Sequence, residues 1–332
     1  MSQNQKYSIL RGFRDVLPDE IPYWHKIRTT IDEIARIYGF SEIKTPTLEE
    51  TELFFKNTGE FTDVVSKEMY TFTDQSGRSV TLRPEGTPSC IRAVIENNLL
   101  NKYPLPLKFY YVEDMFRHEK PQSGRFRQHT QMGFEIIGDK GPNGEGELIS
   151  LLMDFYKAIG LTELSVEINS IGCKECREPF YNNIRDFLKS NFNDLCENCK
   201  TRSEKNPLRA LDCKEIKCKE IFKNAPIISN FLCDTCNKHY SEFKKILNEY
   251  GHPYTENPSL VRGLDYYSKT AFEIVHKKLG AQNTIAGGGR YDYLVGNMGG
   301  GDVPCVGFGA GIERIILSMQ NEGIKDEKWS RR

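Results

Sequence analysis

Residues 109–138 hold a cluster of side chains suited to a phosphate. Two β-rich runs, 107–112 and 130–137, flank a connection carrying Arg117, Lys120, Arg125 and Arg127 against one carboxylate, Glu119, with His118 and His129 alongside. Arginine keeps its charge and offers a planar fork of donors, so a cationic loop on an antiparallel floor suits phosphate. The same residues would also make a solvated hairpin tip. A second cation, Arg314, falls in the first turn of a helix expected after the small-residue run GFGAG at 307–311. Exposed backbone N–H groups there, and a dipole unfavourable to a cation, both favour a local anion. Glu85 sits between a strand end and a helix start, placed either to favour the helix dipole or to accept from a ligand's ammonium group. Neither GxxxxGKS/T nor GxGxxG occurs, which removes support for P-loop and Rossmann phosphate sites.

Eight of the ten cysteines form the pairs Cys173 with Cys176, Cys196 with Cys199, Cys213 with Cys218, and Cys233 with Cys236. Paired thiolates at such spacings fit tetrahedral zinc, and up to two four-cysteine sites are possible by count; reduced thiols in a helical segment fit as well. Cys90 and Cys305 stand apart and read as small apolar packing residues. The start MSQNQKYSIL lacks an apolar secretory core, and no run approaches the roughly 20 residues that span a bilayer. A cytoplasmic setting with no membrane partner is expected, with metal or free thiols in place of disulfides.

Regular elements must hold these groups. Apolar residues recur at Trp24, Ile27, Ile31, Ile34, Ala35 and Tyr38, one face of a helix that starts near residues 19–22 and ends at Gly39. Residues 40–46 read as a short strand stopped by Pro46, and 69–86 as a hairpin ending in Arg83-Pro84-Glu85-Gly86. Thr87 as N-cap and Pro88 at N1 open a helix with Ile91, Val94, Ile95 and Leu99 on its apolar face. A helix over 147–159 and strands over 164–168 and 271–276 follow. The triplet Gly287-Gly288-Gly289 allows either close backbone approach or a sharp bend. Between 169 and 254 the composition turns Lys/Glu/Asn-rich and helical, which reads as an insertion between two parts of one domain, 1–168 and 255–325. Two domains suit the length of 332 residues, and 38% hydrophobic content is that of an ordinary globular protein. Since 45 Lys+Arg nearly cancel 46 Asp+Glu, any nucleic acid must be held by a local patch.

Four blocks in this order, TLRPEGT at 81–87, FRHEKPQSGRFRQHTQMGFE at 116–135, RGLDYY at 262–267 and GFGAGIER at 307–314, resemble class II aminoacyl-tRNA synthetases and, among them, the histidyl-tRNA synthetase family. The second block resembles that class's motif 2, the fourth its motif 3, and GFSEIKTP its dimer-forming motif 1. RGLDYY and GGGRYD resemble the two signatures of the histidine branch. The resemblance implies an α+β fold with an antiparallel six-stranded sheet flanked by helices, a mainly helical Cys-rich insertion, and a homodimer. It implies two-step chemistry: the carboxylate of L-histidine attacks the α-phosphate of ATP, and the 3′ end of tRNA(His) then takes the histidyl group.

By residue, the resemblance implies ATP held by Arg117, Glu119, Arg125 and Arg314, with Mg²⁺ on the outer phosphates. Arg262 would bridge the histidine carboxylate and the α-phosphate, so that Arg262, Arg117 and Arg314 carry the catalysis. Histidine would lie among Glu85, Gly86, Thr87, Gln131, Glu135, Tyr266 and Tyr267, with Glu85, Thr87 and Gln131 at its ammonium group and Glu135 and Tyr267 on its imidazole nitrogens. Phenylalanine would leave those two partners buried and unpaired. Taken apart from the family, Glu135 reads as a carboxylate paired with a nearby arginine, and Tyr267 as a core tyrosine. Gln122, Arg125 and Arg127 fall to the tRNA.

The family usually carries an anticodon-binding domain after motif 3, whereas this chain ends about twenty residues past Arg314. The expectation is therefore a product that makes adenylate well and charges tRNA poorly. The alternative is the histidine-binding regulatory subunit of ATP phosphoribosyltransferase, which resembles the same catalytic domain. RGLDYY, GGGRYD and the intact Arg117 and Arg314 count against it, because a sensor has no need of arginines that clamp ATP.

Overall fold

The computed structural model describes residues 7–324 except 60, 61, 63, 206, 212, 214, 281 and 282; the expected boundary at 325 and the closing WSRR lie outside them. In chain order the strands are β1 (Ser41–Glu42), β2 (Leu48–Glu50), β3 (Tyr70–Thr73), β4 (Ser79–Leu82), β5 (Leu107–Phe116), β6 (Gln128–Ile137), β7 (Leu164–Gly172), β8 (Tyr254–Glu256), β9 (Ser268–His276), β10 (Thr284–Arg290) and β11 (Cys305–Gly311). The helices are α1 (Ile21–Ile37), α2 (Thr51–Thr58), α3 (Thr87–Glu96), α4 (Leu99–Lys102), α5 (Asn143–Ile159), α6 (Lys174–Ser190), α7 (Glu197–Lys205), α8 (Ile216–Phe222), α9 (Asp234–Glu249), α10 (Leu294–Asn297) and α11 (Ile312–Asn321).

The main sheet has eight strands in the order β1-β5-β6-β11-β10-β9-β7-β8. Its six inner strands are antiparallel, as expected, and short parallel strands close the edges, β1 on β5 and β8 on β7. A smaller sheet, β2-β4-β3, holds the expected hairpin. Side chains alternate across a strand, so each register row faces one side. The row Tyr110, Phe134, Phe308, Gly288, Phe272, Ile168 crosses the six strands. Its rings stack, Tyr110 on Phe134 at 5.4 Å and Phe134 on Phe308 at 5.3 Å. This face forms one core with Ile27, Ile31 and Ile34 of α1, Leu148, Leu152 and Phe155 of α5, and Ile315 and Met319 of α11. Each such side chain stabilises the fold by roughly 1.5–3 kcal/mol.

Several elements differ from expectation for identifiable reasons. In 40–46 only Ser41–Glu42 is strand. Thr45 instead donates its N–H to Glu113 Oε1 at 2.9 Å, and its carbonyl accepts from Arg83 Nη1 at 2.8 Å, so a buried ion pair replaces the ladder. Thr87 is the first helical residue and Gly86 the cap; the Thr87 hydroxyl donates to Glu135 Oε1 at 2.7 Å. Leu99 belongs to α4, separated from α3 by Asn98 in the left-handed region at φ 54°. Strands β5 and β6 run longer than read, leaving 117–127 as their connection. The triplet Gly287-Gly288-Gly289 lies inside β10 and not at a bend. Within 169–254, β7 continues to Gly172, and Tyr240, Phe243 and Leu247 of α9 join the main core. A separate small core gathers around Phe180, Ile184, Leu188 and Leu195. Among the described residues no helix is long and apolar enough to cross a membrane.

The first turn of α5 buries Glu145, a residue that no motif or periodicity singled out. Arg290 donates to Glu145 Oε2 through Nη2 at 2.6 Å and to Oε1 through Nε at 2.9 Å, while His239 Nε2 and Thr270 Oγ1 each lie 2.7 Å from Oε1. Burial alone would raise this carboxyl, but the Arg290 charge and the hydrogen bonds from His239 and Arg290 outweigh it and hold the group below the usual carboxylate range. Removing one partner of a fully buried pair strands the other charge. Glu145→Ala is therefore expected to cost about 3–5 kcal/mol, read as a lowered urea midpoint; an unchanged midpoint would contradict the role of this pair.

Candidate active site

On the face opposite the aromatic row lies a cleft of about 960 Å³. Its floor is the register row Tyr111, Gly133, Gly309, Gly287, Glu273, in which three adjacent strands present no side chain. The space is filled from the flanks. The Tyr111 ring lies where a Cβ at Gly133 or Gly86 would be, the Arg262 guanidinium where one at Gly287 would be, and a Cβ at Gly309 would come within 2.7 Å of Gln131 Nε2. The glycine triplet thus serves close approach, and the partner it admits is Arg262.

Arg117, Arg262 and Arg314 come from three distant segments and line this one cleft, together with Glu119 and Arg125. Each is held by the frame. Arg117 Nε donates to Pro84 O at 2.7 Å, which ties the 117–127 connection to the RPEG turn. Arg314 donates to Thr284 O at 2.7 Å and to Gly124 O at 3.3 Å. Arg262 pairs with Glu273 at 2.5 Å and lies 5.6 Å from the centre of the Tyr267 ring. The electrostatics record their crowding. Burial, and then the charge of Arg125, bring Arg314 down to about 10 despite Glu119 and Glu273. Burial, Arg117 and Arg314 push His129 down to about 3, so this imidazole is neutral. An anion in the cleft would relieve that excess of positive potential.

The far end is acidic and phenolic. Glu85 is buried on the cleft wall, accepting from Thr58 Oγ1 at 2.6 Å and Tyr266 OH at 2.7 Å. Burial raises its carboxyl, offset in part by those bonds and by Arg117. Thr87, Gln131, Tyr266 and Tyr267 share the wall, and Gly86 lies beneath Tyr111. Glu135 lies deeper. It is fully buried, and its carboxyl accepts from Thr87, from Tyr111 OH at 3.4 Å, and in a short bond from Tyr291 OH. Burial first, and the nearby Glu85 charge, raise it to about 8 against the pull of those hydroxyls.

The residues expected at tRNA are spread around the connection. Gln122 and Arg125 pair their backbones at its tip, and Arg125 reaches Glu119 at 3.3 Å. Arg127 turns away from the cleft to Glu119 O at 3.4 Å and Arg11 O at 3.3 Å. The eight clustered cysteines gather as two sets, Cys173, Cys176, Cys233 and Cys236 in one, Cys196, Cys199, Cys213 and Cys218 in the other. Cys90 and Cys305 are buried among apolar neighbours, as read. Tyr111, Glu273, Tyr291 and Thr58 were missed. Only Tyr291 carried a signal, inside GGGRYD.

The Glu135 carboxyl lies above its ordinary 4.5, at about 8. Between those values the folded chain keeps a proton that the unfolded chain has released, so this group makes stability fall as pH rises. Glu135→Gln removes the titration. The parent should therefore lose stability relative to the variant across that window in urea titrations; parallel profiles would contradict the assignment.

The family model for histidyl-tRNA synthetase matches residues 12–175 and 219–315. A protein named histidine–tRNA ligase from Thermoanaerobacter pseudethanolicus is 50% identical over 318 residues, covering 96% of this chain and 76% of its own. One of the same name from Caldanaerobacter subterraneus subsp. tengcongensis is 48% identical over 318 residues, with the same two coverages. Among solved structures, apo histidyl-tRNA synthetase of S. aureus superposes with a TM-score of 0.78 at 34% identity, over 97% of this chain and 75% of that one. With its sheet, its glycine-floored cleft and its three converging arginines, the chain belongs to the histidyl-tRNA synthetase family of class II aminoacyl-tRNA synthetases.

Proposed function

We propose that the chain activates L-histidine with Mg·ATP and passes the histidyl group to the 3′ end of tRNA(His). The observation that carries this reading is the convergence of Arg117, Arg262 and Arg314 on a cleft whose other end holds Glu85, Tyr266 and Tyr267. The histidine carboxylate is already an anion at neutral pH, so its attack at the α-phosphorus needs alignment and charge neutralisation, with no protein nucleophile. A new C–O–P bond forms as the bond to pyrophosphate breaks. Arg262, set between the tyrosines and the arginine end, neutralises charge at the α-phosphate; Arg117 and Arg314 hold the phosphates, with Glu119 and Arg125 at their margin. Glu85, Thr87 and Gln131 receive the ammonium group. Tyr267 meets the imidazole from the cleft wall, and Glu135 from below, once Tyr291 or Thr87 yields one of its oxygens.

Gln122, Arg125 and Arg127 face the tRNA in this reading. The extended 40–46 segment joins two copies as a homodimer, and the cytoplasm is the setting. Within 169–254, the part between β7 and α9 forms an inserted module, in line with the family model passing over 176–218.

Histidine-dependent exchange of labelled pyrophosphate into ATP tests the reading. Exchange is expected with histidine and not with phenylalanine; histidine binding without exchange would favour the regulatory-subunit alternative. Arg262→Ala should lower exchange by about 10²–10³-fold while histidine still binds. Gly287→Ala, whose added methyl displaces that guanidinium, should act in the same direction with the fold intact by circular dichroism. Normal exchange in both variants would overturn the role given to Arg262.

A further inference from the structure

We propose that the clustered cysteines hold two structural zinc ions, a neck ion on Cys173, Cys176, Cys233 and Cys236 and an inner ion on Cys196, Cys199, Cys213 and Cys218, and that the neck ion positions Tyr267. In each set the four sulfurs lie within 4.8 Å of one another. Cys173 Sγ is 3.6 Å from Cys176 Sγ and 3.8 Å from Cys233 Sγ, and Cys196 Sγ is 3.8 Å from Cys213 Sγ. Four sulfurs placed about 2.3 Å from one tetrahedral zinc have edges of about 3.8 Å. The spacing counts in the sequence left the pairing open; the fold joins the outermost pairs to each other and the inner pairs to each other.

The surroundings are built for thiolates. Cys173 and Cys233 cap the starts of α6 and α9, and Cys196 immediately precedes α7, so the positive ends of three helix dipoles face the clusters. A backbone N–H from one cysteine pair donates to a sulfur of the other in both sets, Cys233 N to Cys176 Sγ at 3.1 Å and Cys196 N to Cys218 Sγ at 3.3 Å. Gly172, at φ +63°, makes the turn from β7 into the neck, and a Cβ there would press to 2.6 Å from Cys176 Cβ. Among the described residues the core around the inner set has nine buried side chains, three of them Cys199, Cys213 and Cys218. So small a core is ordinarily supported by a metal or another cross-link. Each Zn²⁺ taken up releases four thiol protons and leaves a site of net charge −2.

The neck reaches the cleft through Arg177, the residue after Cys176. Its Nε donates to Ile171 O at 3.2 Å, and its Nη2 makes a short bond to the carbonyl of Tyr267. Fixing the first turn of α6 therefore fixes the backbone of a tyrosine on the amino-acid wall. Only this part of the proposal rests on the histidine-binding role of Tyr267.

Elemental analysis of the full chain, purified in reducing buffer without chelator, should find about two zinc ions per chain. Cys176→Ser/Cys236→Ser and Cys199→Ser/Cys218→Ser should each halve that content; a different pairing would strip both ions from each variant and overturn the assignment. A mercurial titration of the unmodified chain should release both ions as the eight thiols are consumed, which requires no variant to fold. The neck variant should also raise the KM for histidine several-fold while the KM for ATP holds; an unchanged histidine KM would overturn the link to Tyr267. A chain free of zinc, both as purified and after incubation with zinc, or one holding iron in its place, would overturn the sites themselves. Zinc content is read without activity, so it stands or falls separately from the catalytic reading.

Discussion

The site depends on the absence of side chains along one row of the sheet. Gly133, Gly309 and Gly287 stand side by side on β6, β11 and β10, and the volume they leave is occupied by Tyr111, Gln131 and Arg262. The next row repeats the device, since Gly307 lies opposite Glu135 and a Cβ there would overlap its carboxyl. Glycine in a strand interior weakens the strand through lost packing and added unfolded-state freedom. Here the opposite face compensates, with stacked Tyr110, Phe134 and Phe308 against helices α1, α5 and α11. One face of the sheet holds it together so that the other can be hollow.

Into that hollow the fold brings charge of both signs and, apart from the Arg262–Glu273 and Arg125–Glu119 pairs, keeps the signs apart. Arg117, Arg262 and Arg314 share a wall with a neutral His129, while Glu85 and Glu135 sit among hydroxyls that donate to them. A carboxylate facing these guanidinium groups would pair with one of them, as Glu273 does with Arg262. Hydroxyl donors satisfy the carboxyls without neutralising the arginines. The cleft consequently has a cationic end and an acceptor end, which suits a ligand that is a phosphate at one end and an ammonium and imidazole at the other.

Two arginines from the quoted blocks belong to the frame. Arg290 of GGGRYD is fully buried and spent on Glu145, Asp139 O and Gly141 O, anchoring the end of β10 to the start of α5. Arg83 of TLRPEG is likewise buried, bonded to Glu113, Thr45 and the carbonyl of Asp114, and so holds the turn that presents Glu85. Both serve the cleft at one remove, by setting the strand end and the turn from which its ligand-facing groups project.

The sequence by itself determined the local elements and the kinds of chemistry. Helical periodicity placed α1, the β-rich runs placed β5 and β6, and the residue types named cation, carboxylate and thiol clusters, because propensity and side-chain chemistry are local properties. Register was not local. Whether Gly287 faces Gly309 or its neighbour, whether Thr87 caps a helix or binds Glu135, and which cysteine pairs meet are settled by contacts between residues far apart in the chain. Glu145 and Tyr111 carried no pattern at all, since each is defined by what lies across from it: a buried arginine in one case, two missing side chains in the other. Only the tertiary structure could decide these, because a one-residue slip of any inner strand would turn its glycines to the packed face and its core residues into the cleft.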